Sequence, residues 1–79
     1  MMYYIDCFGG IGTLTRMVKT HNMPMQCKMI IENDPQCIRV IRENIDVSNI
    51  QIVEDFFKLE RFPDVDKIGR AHVWTPVTL

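Results

Sequence analysis

A chain of 79 residues has room for one hydrophobic core, because a domain of that size buries only about 60% of the surface its unfolded chain exposes. With 47% hydrophobic and 24% charged residues it does not have the composition of a disordered or low-complexity polymer. A net charge of -1 leaves no surplus of cations for gripping phosphates, so any nucleic-acid contact has to rest chiefly elsewhere.

The first predicted element is a buried strand over Tyr3 to Phe8, which runs into Gly9, Gly10, Ile11 and Gly12, a turn rich in glycine. Ile11, Leu14, Met17, Val18 and His21 then recur at helical spacing and predict a helix with one apolar face. Asn22 to Pro24 ends it. Met25 to Glu32 is a second apolar run, interrupted only by Gln26 and Lys28, and reads as a second buried strand. Asp34 and Pro35 supply an N-cap and a first-turn proline for a second helix carrying Cys37, Ile38, Ile41 and Ile45. Ile50 to Val53 is a short third strand, and Asp55 to Phe62 a loop or helical turn closed by Pro63.

This βαβαβ alternation predicts an α/β fold with a parallel sheet and right-handed crossovers, in which ligands sit at the carboxyl ends of the strands. Residues 1–66 carry the pattern, and 67–79 are expected to be an irregular tail. Gly69, Arg70, Ala71 and His72 fit neither a helical nor an alternating template. The string Ile68-Gly-Arg-Ala-His-Val-Trp-Thr-Pro-Val-Thr78 also looks like the translation of a sequencing adapter, a non-native scar.

Two features along this path point to a ligand. Glycines at 9, 10 and 12 let a backbone turn tightly beside a helix N-terminus, although Thr15 stands where a GxGxxG fingerprint has its last glycine. Glu32 ends the second strand 20 positions after Gly12, the interval at which an acidic residue reaches ribose hydroxyls. Asp55 follows the third strand toward the same edge, where it also suits a helix N-cap. The three cysteines form no CxxC pair, lie in apolar segments and fit a reducing, cytoplasmic setting; His21 and His72 have no metal-ligand spacing. No run is long enough to span a membrane, and the N-terminus lacks the pattern of a signal peptide.

Asp6-Cys7-Phe8-Gly9-Gly10-Ile11-Gly12 resembles the opening motif of the DNA cytosine-5 methyltransferases, written Asp-Leu-Phe-Ser-Gly-x-Gly-Gly. Glu32-Asn33-Asp34-Pro35 resembles the second motif of that family, Glu54-Asp55-Phe56 the third, and Pro63-Asp64-Val65-Asp66 the approach to the fourth. The resemblance covers Tyr3 to Asp66 and implies a truncated Rossmann-like methyltransferase fold that binds S-adenosylmethionine and acts on DNA through downstream parts. It gives Phe8, Gly9, Gly10, Ile11 and Gly12 contacts with the cofactor, Glu32 its ribose, and Asp55 and Phe56 its adenine. Asn33 stands where relatives often carry a larger residue, and Asp6 is a carboxylate beside the sulfonium. Gly9 for Ser and Thr13 for Gly depart from the pattern.

The family reaction uses a thiolate on a Pro-Cys loop, and Cys7, Cys27 and Cys37 follow Asp6, Gln26 and Gln36. The chain is therefore expected to be inactive alone, with no catalytic residue of its own. Glu43-Asn44-Ile45 mimics a Glu-Asn-Val motif but precedes the third strand, so it reads as a helix end. A dinucleotide-binding segment of an NAD-dependent enzyme and a non-catalytic methyltransferase-like subunit remain as alternatives.

Overall fold

The computed structural model describes residues 1–7, 10–70 and 73–76. Its elements follow in the order β1 (Met2–Cys7), α1 (Thr13–Thr20), β2 (Met25–Ile31), α2 (Pro35–Asn44), β3 (Gln51–Val53), a single 3-10 turn (Phe56–Lys58), β4 (Lys67–Arg70) and β5 (Val73–Pro76). The strand order is β3-β2-β1-β4-β5. The first four strands pair in parallel and β5 pairs antiparallel with β4. The fold is therefore α/β, compatible with a Rossmann-like arrangement in which the chain changes direction between β1 and β4.

The crossovers from β1 to β2 and from β2 to β3 put both helices on one face of the sheet, as consecutive crossovers of the same hand do. Tyr4, Cys27 and Ile30 meet Leu14 and Val18 of α1 and Ile41 of α2 there, with Ile45 just beyond that helix. The other face gathers Ile5, Met29, Ile31 and Val53, which the connection after β3 covers with Leu59 and Val65. Each fully buried apolar side chain contributes roughly 1.5–3 kcal/mol.

A bulge in β2 fixes which side chains reach which face. Tyr4 is registered against Cys27 and Ile5 against Met29, so Lys28 is an extra residue in the pairing. Strand alternation would place Cys27 and Met29 on one face; the inserted residue sends Cys27 to the helix side with Ile30. The Lys28 ammonium lies 4.4 Å from the centre of the Tyr3 ring.

The helices form where capping and spacing dictate, with one shift. Asp34 Oδ1 accepts a hydrogen bond from Gln36 N at 2.9 Å with Pro35 in the first turn, and Ile38 and Ile41 face inward. In α1 the buried face is Leu14, Thr15 and Val18, whereas Ile11, Met17 and His21, expected on that face, are exposed. The helix is rotated because Thr15 points inward to hydrogen-bond partners on β1.

The segment from Lys67, expected to be irregular, instead forms β4 beside β1, pairing Tyr4 with Lys67, Ile5 with Ile68 and Asp6 with Gly69. Backbone pairing satisfies the edge of β1 whatever the side-chain alternation. Asp66 starts it: its amide donates to the Tyr3 carbonyl at 2.8 Å, and its Oδ2 accepts from the Tyr3 amide at 2.8 Å. Ala71, His72 and residues 77–79 lie outside the described residues. Among the described residues no helix is long and apolar enough to cross a membrane.

Candidate functional site

Because β1, β2 and β3 are parallel, the segments that follow them emerge at one edge of the sheet. The turn Gly10–Gly12 leaves β1, Glu32 and Asn33 leave β2, and Asp55 and Phe56 leave β3. Phe8 and Gly9, also expected in the site, lie outside the described residues.

The turn depends on two left-handed glycines, Gly10 at φ 57° and Gly12 at φ 83°. Gly12 caps α1 by its position and makes no side-chain bond. A Cβ there would lie 2.6 Å from Ile45 Cδ1 and 3.3 Å from Ile41 Cγ1, so the missing side chain lets the turn pack directly on the α2 side of the core. At Gly10 a Cβ would meet nothing within 4 Å, so there the requirement is conformational alone. Ile11, between them, is 46% exposed.

Glu32 is buried and joins two of these segments. Its Oε1 accepts from Gly10 N at 2.8 Å, and its Oε2 accepts from Asp34 N at 2.9 Å. Each carboxylate oxygen can accept a further bond, so the residue braces the turn and retains acceptor capacity toward a ligand hydroxyl.

Asp6 is 1% exposed. Its Oδ2 accepts from Thr15 Oγ1 at 3.4 Å, and Thr15 Oγ1 accepts from the Tyr4 hydroxyl at 3.0 Å. Among the described residues, Asp6 Oδ1 has no hydrogen-bond partner. Burial pushes the carboxyl up to about 6, with the nearby Glu32 adding to the shift and Thr15 opposing it. Burial likewise holds the Tyr4 phenol well above its ordinary range. Thr15 and Tyr4 were not singled out from the sequence as site residues. The available signal was a hydroxyl between Leu14 and Val18 on a buried helix face, which needs a polar partner.

Asn33, Asp55 and Phe56 line an open pocket of about 230 Å³ together with Ile31, Glu54 and Phe57. Asp55 is the N-cap of the 3-10 turn, accepting from Phe57 N at 3.0 Å. Phe56, Phe57 and Phe62 are exposed at 44%, 95% and 47%, with the Phe56 ring centre 6.0 Å from each of the other two.

The Glu43-Asn44-Ile45 string ends α2 away from this edge: Glu43 pairs with Arg39 on the surface, Asn44 donates to the Val40 carbonyl, and Ile45 enters the core. Of the cysteines, Cys27 is buried in the core, Cys7 is partly buried and packs against the cluster of Ile5, Met29, Ile31 and Val53, and Cys37 is partly buried at the start of α2. Burial pushes the Cys27 thiol up to about 11, away from thiolate chemistry. Among the described residues no group of three or more His, Cys, Asp or Glu side chains could hold a metal ion.

What the edge offers chemically is a glycine turn at a helix start, a braced carboxylate with spare acceptors, a buried carboxylate beneath the turn and an aromatic pocket at the third strand. No protein-family model matches the chain, and no curated protein matches it.

Proposed function

We propose that the chain is an S-adenosylmethionine-binding segment of a DNA cytosine-5 methyltransferase, an enzyme that methylates carbon 5 of cytosine. The observation that carries this reading is the bond between Glu32 and Gly10, which joins the acidic end of β2 to the glycine turn after β1 at the carboxyl edge of a parallel sheet. The resemblance of Asp6 to Gly12, Glu32 to Pro35, Glu54 to Phe56 and Pro63 to Asp66 supplies the family.

The residues fit that cofactor. Glu32 has acceptors for ribose hydroxyls, Asn33, Asp55 and Phe56 flank a pocket suited to a planar base, and Gly10 offers backbone with open space beside it. Phe8 and Gly9 join them by the resemblance alone. The cofactor supplies an electrophilic methyl group on a sulfonium. The chain holds no thiolate to use it, since Cys27 is buried as a thiol and neither Cys7 nor Cys37 follows a proline. On this reading the residues gathered at this edge hold the cofactor and supply neither the nucleophile nor the main DNA contacts.

A dinucleotide would place a pyrophosphate at the same turn. The buried Asp6 carboxylate disfavours that anion and favours a cation. Calorimetric titration of the chain with S-adenosylmethionine, its demethylated product S-adenosylhomocysteine and NAD tests the assignment. Binding of the first two, weakened at least tenfold by Glu32→Ala, is expected. Binding of NAD alone would overturn it.

A further inference from the structure

Asp6 stands at the point where strand order reverses, between β2 and β4, and directly precedes the residues leading to the glycine turn. Its surroundings are set by every neighbouring element. Tyr4 on β1 and Thr15 on α1 form a hydrogen-bond chain that ends on Oδ2. Cys27 on β2 and Glu32 beyond it are close enough to interact electrostatically, and β4 presents Gly69, which has no side chain. Among the described residues no cation faces it, and Oδ1 has no donor. A buried carboxylate in such a setting lacks compensation for its charge, and below about pH 6 it is held largely in its neutral form until a positive charge arrives.

We propose that Asp6 is the residue by which this site distinguishes a cationic sulfonium ligand from its neutral thioether product, its buried, unpartnered carboxylate oxygen acting as the counter-charge. The inference rests on the assignment of S-adenosylmethionine above. On binding, the Asp6 carboxylic acid gives its proton to solvent and the carboxylate faces the sulfonium; no other bond changes. The thioether product carries no such charge and leaves Asp6 as it was. Affinity for the sulfonium form therefore rises with pH relative to the thioether form, and fresh sulfonium ligand displaces the spent product most readily where Asp6 is ionised.

Thr15 and Tyr4 are positioning residues in this scheme. With Oδ2 held by Thr15, the unpartnered Oδ1 is the oxygen left to meet the ligand.

The test is calorimetry of the 79-residue chain with S-adenosylmethionine and S-adenosylhomocysteine from pH 5 to pH 7, in buffers of different ionisation enthalpy. The ratio of the two dissociation constants is expected to shift about tenfold toward the sulfonium across that range, with about half a proton released per S-adenosylmethionine at pH 6 and none per S-adenosylhomocysteine. Asp6→Asn flattens the ratio. The proton count on the unsubstituted chain stands even where that variant does not fold. Both ligands bound with a ratio independent of pH and no proton release overturns the role of Asp6 while leaving the cofactor assignment intact. Failure of both ligands to bind overturns the assignment and this inference together.

Discussion

The Glu32 carboxylate lies 2.8 Å from the amide of Gly10, so the end of the second strand holds the turn that follows the first. Glu32 is buried, and its second oxygen also accepts from the amide of Asp34, which fixes the side chain in one orientation. Glu32→Ala is expected to cost about 1–3 kcal/mol through the two amides left unsatisfied. Amide exchange at Gly10 and Asp34 should accelerate. Unchanged protection at both would show that the brace is dispensable.

Gly12 and Gly10 should respond differently to the same substitution. Both have positive φ, so alanine costs about 1–2 kcal/mol at either. At Gly12 the new methyl also strikes Ile45 and Ile41, and overpacking adds about 1–3 kcal/mol. Denaturant unfolding should therefore rank Gly12→Ala well below Gly10→Ala, and equal losses would remove the packing role given to Gly12.

Asp6 gives stability an unusual pH dependence. Its carboxyl is raised from 3.8 to about 6 by burial, so between those values the folded chain binds more protons than the unfolded one. Stability from this group is full below about pH 4 and declines as pH rises to about 6, by on the order of 2–3 kcal/mol in total. Asp46, held below its ordinary range by Ser48, contributes the opposite slope, so the comparison has to be with Asp6→Asn. The variant is expected to gain on the unsubstituted chain from pH 4 to pH 6 in chemical denaturation. A constant difference would mean that Asp6 titrates normally.

Of the three exposed phenylalanines, Phe57 carries little folding energy where it stands. Phe57 is 95% exposed, and Phe57→Ser should change unfolding free energy by no more than about 0.5 kcal/mol while raising solubility. A large loss of stability would show that the ring packs in the folded chain.

Most of the fold was legible because its signals are local. The glycine turn, the Asp34-Pro35 cap and two mainly apolar runs announce β1, α1, β2 and α2 within a residue or two of their observed bounds. The edge that gathers Glu32, Asn33, Asp55 and Phe56 follows from parallel order alone. What was hidden depends on pairing between distant residues. The bulge at Lys28 exists only in register with Tyr4 and Ile5, and the inward turn of Thr15 only in the presence of Asp6 and Tyr4. β4 escaped because strand addition at the edge of β1 needs backbone and the Asp66 clamp on Tyr3, and neither leaves an alternating pattern in Lys67 to Arg70.

The most direct measurement is calorimetric titration of the 79-residue chain with S-adenosylmethionine and S-adenosylhomocysteine, competed by NAD. The account predicts that the first two share one site, that Glu32→Ala weakens both at least tenfold, and that NAD does not displace them. Binding of NAD at that site, with no binding of either sulfur compound, would contradict it.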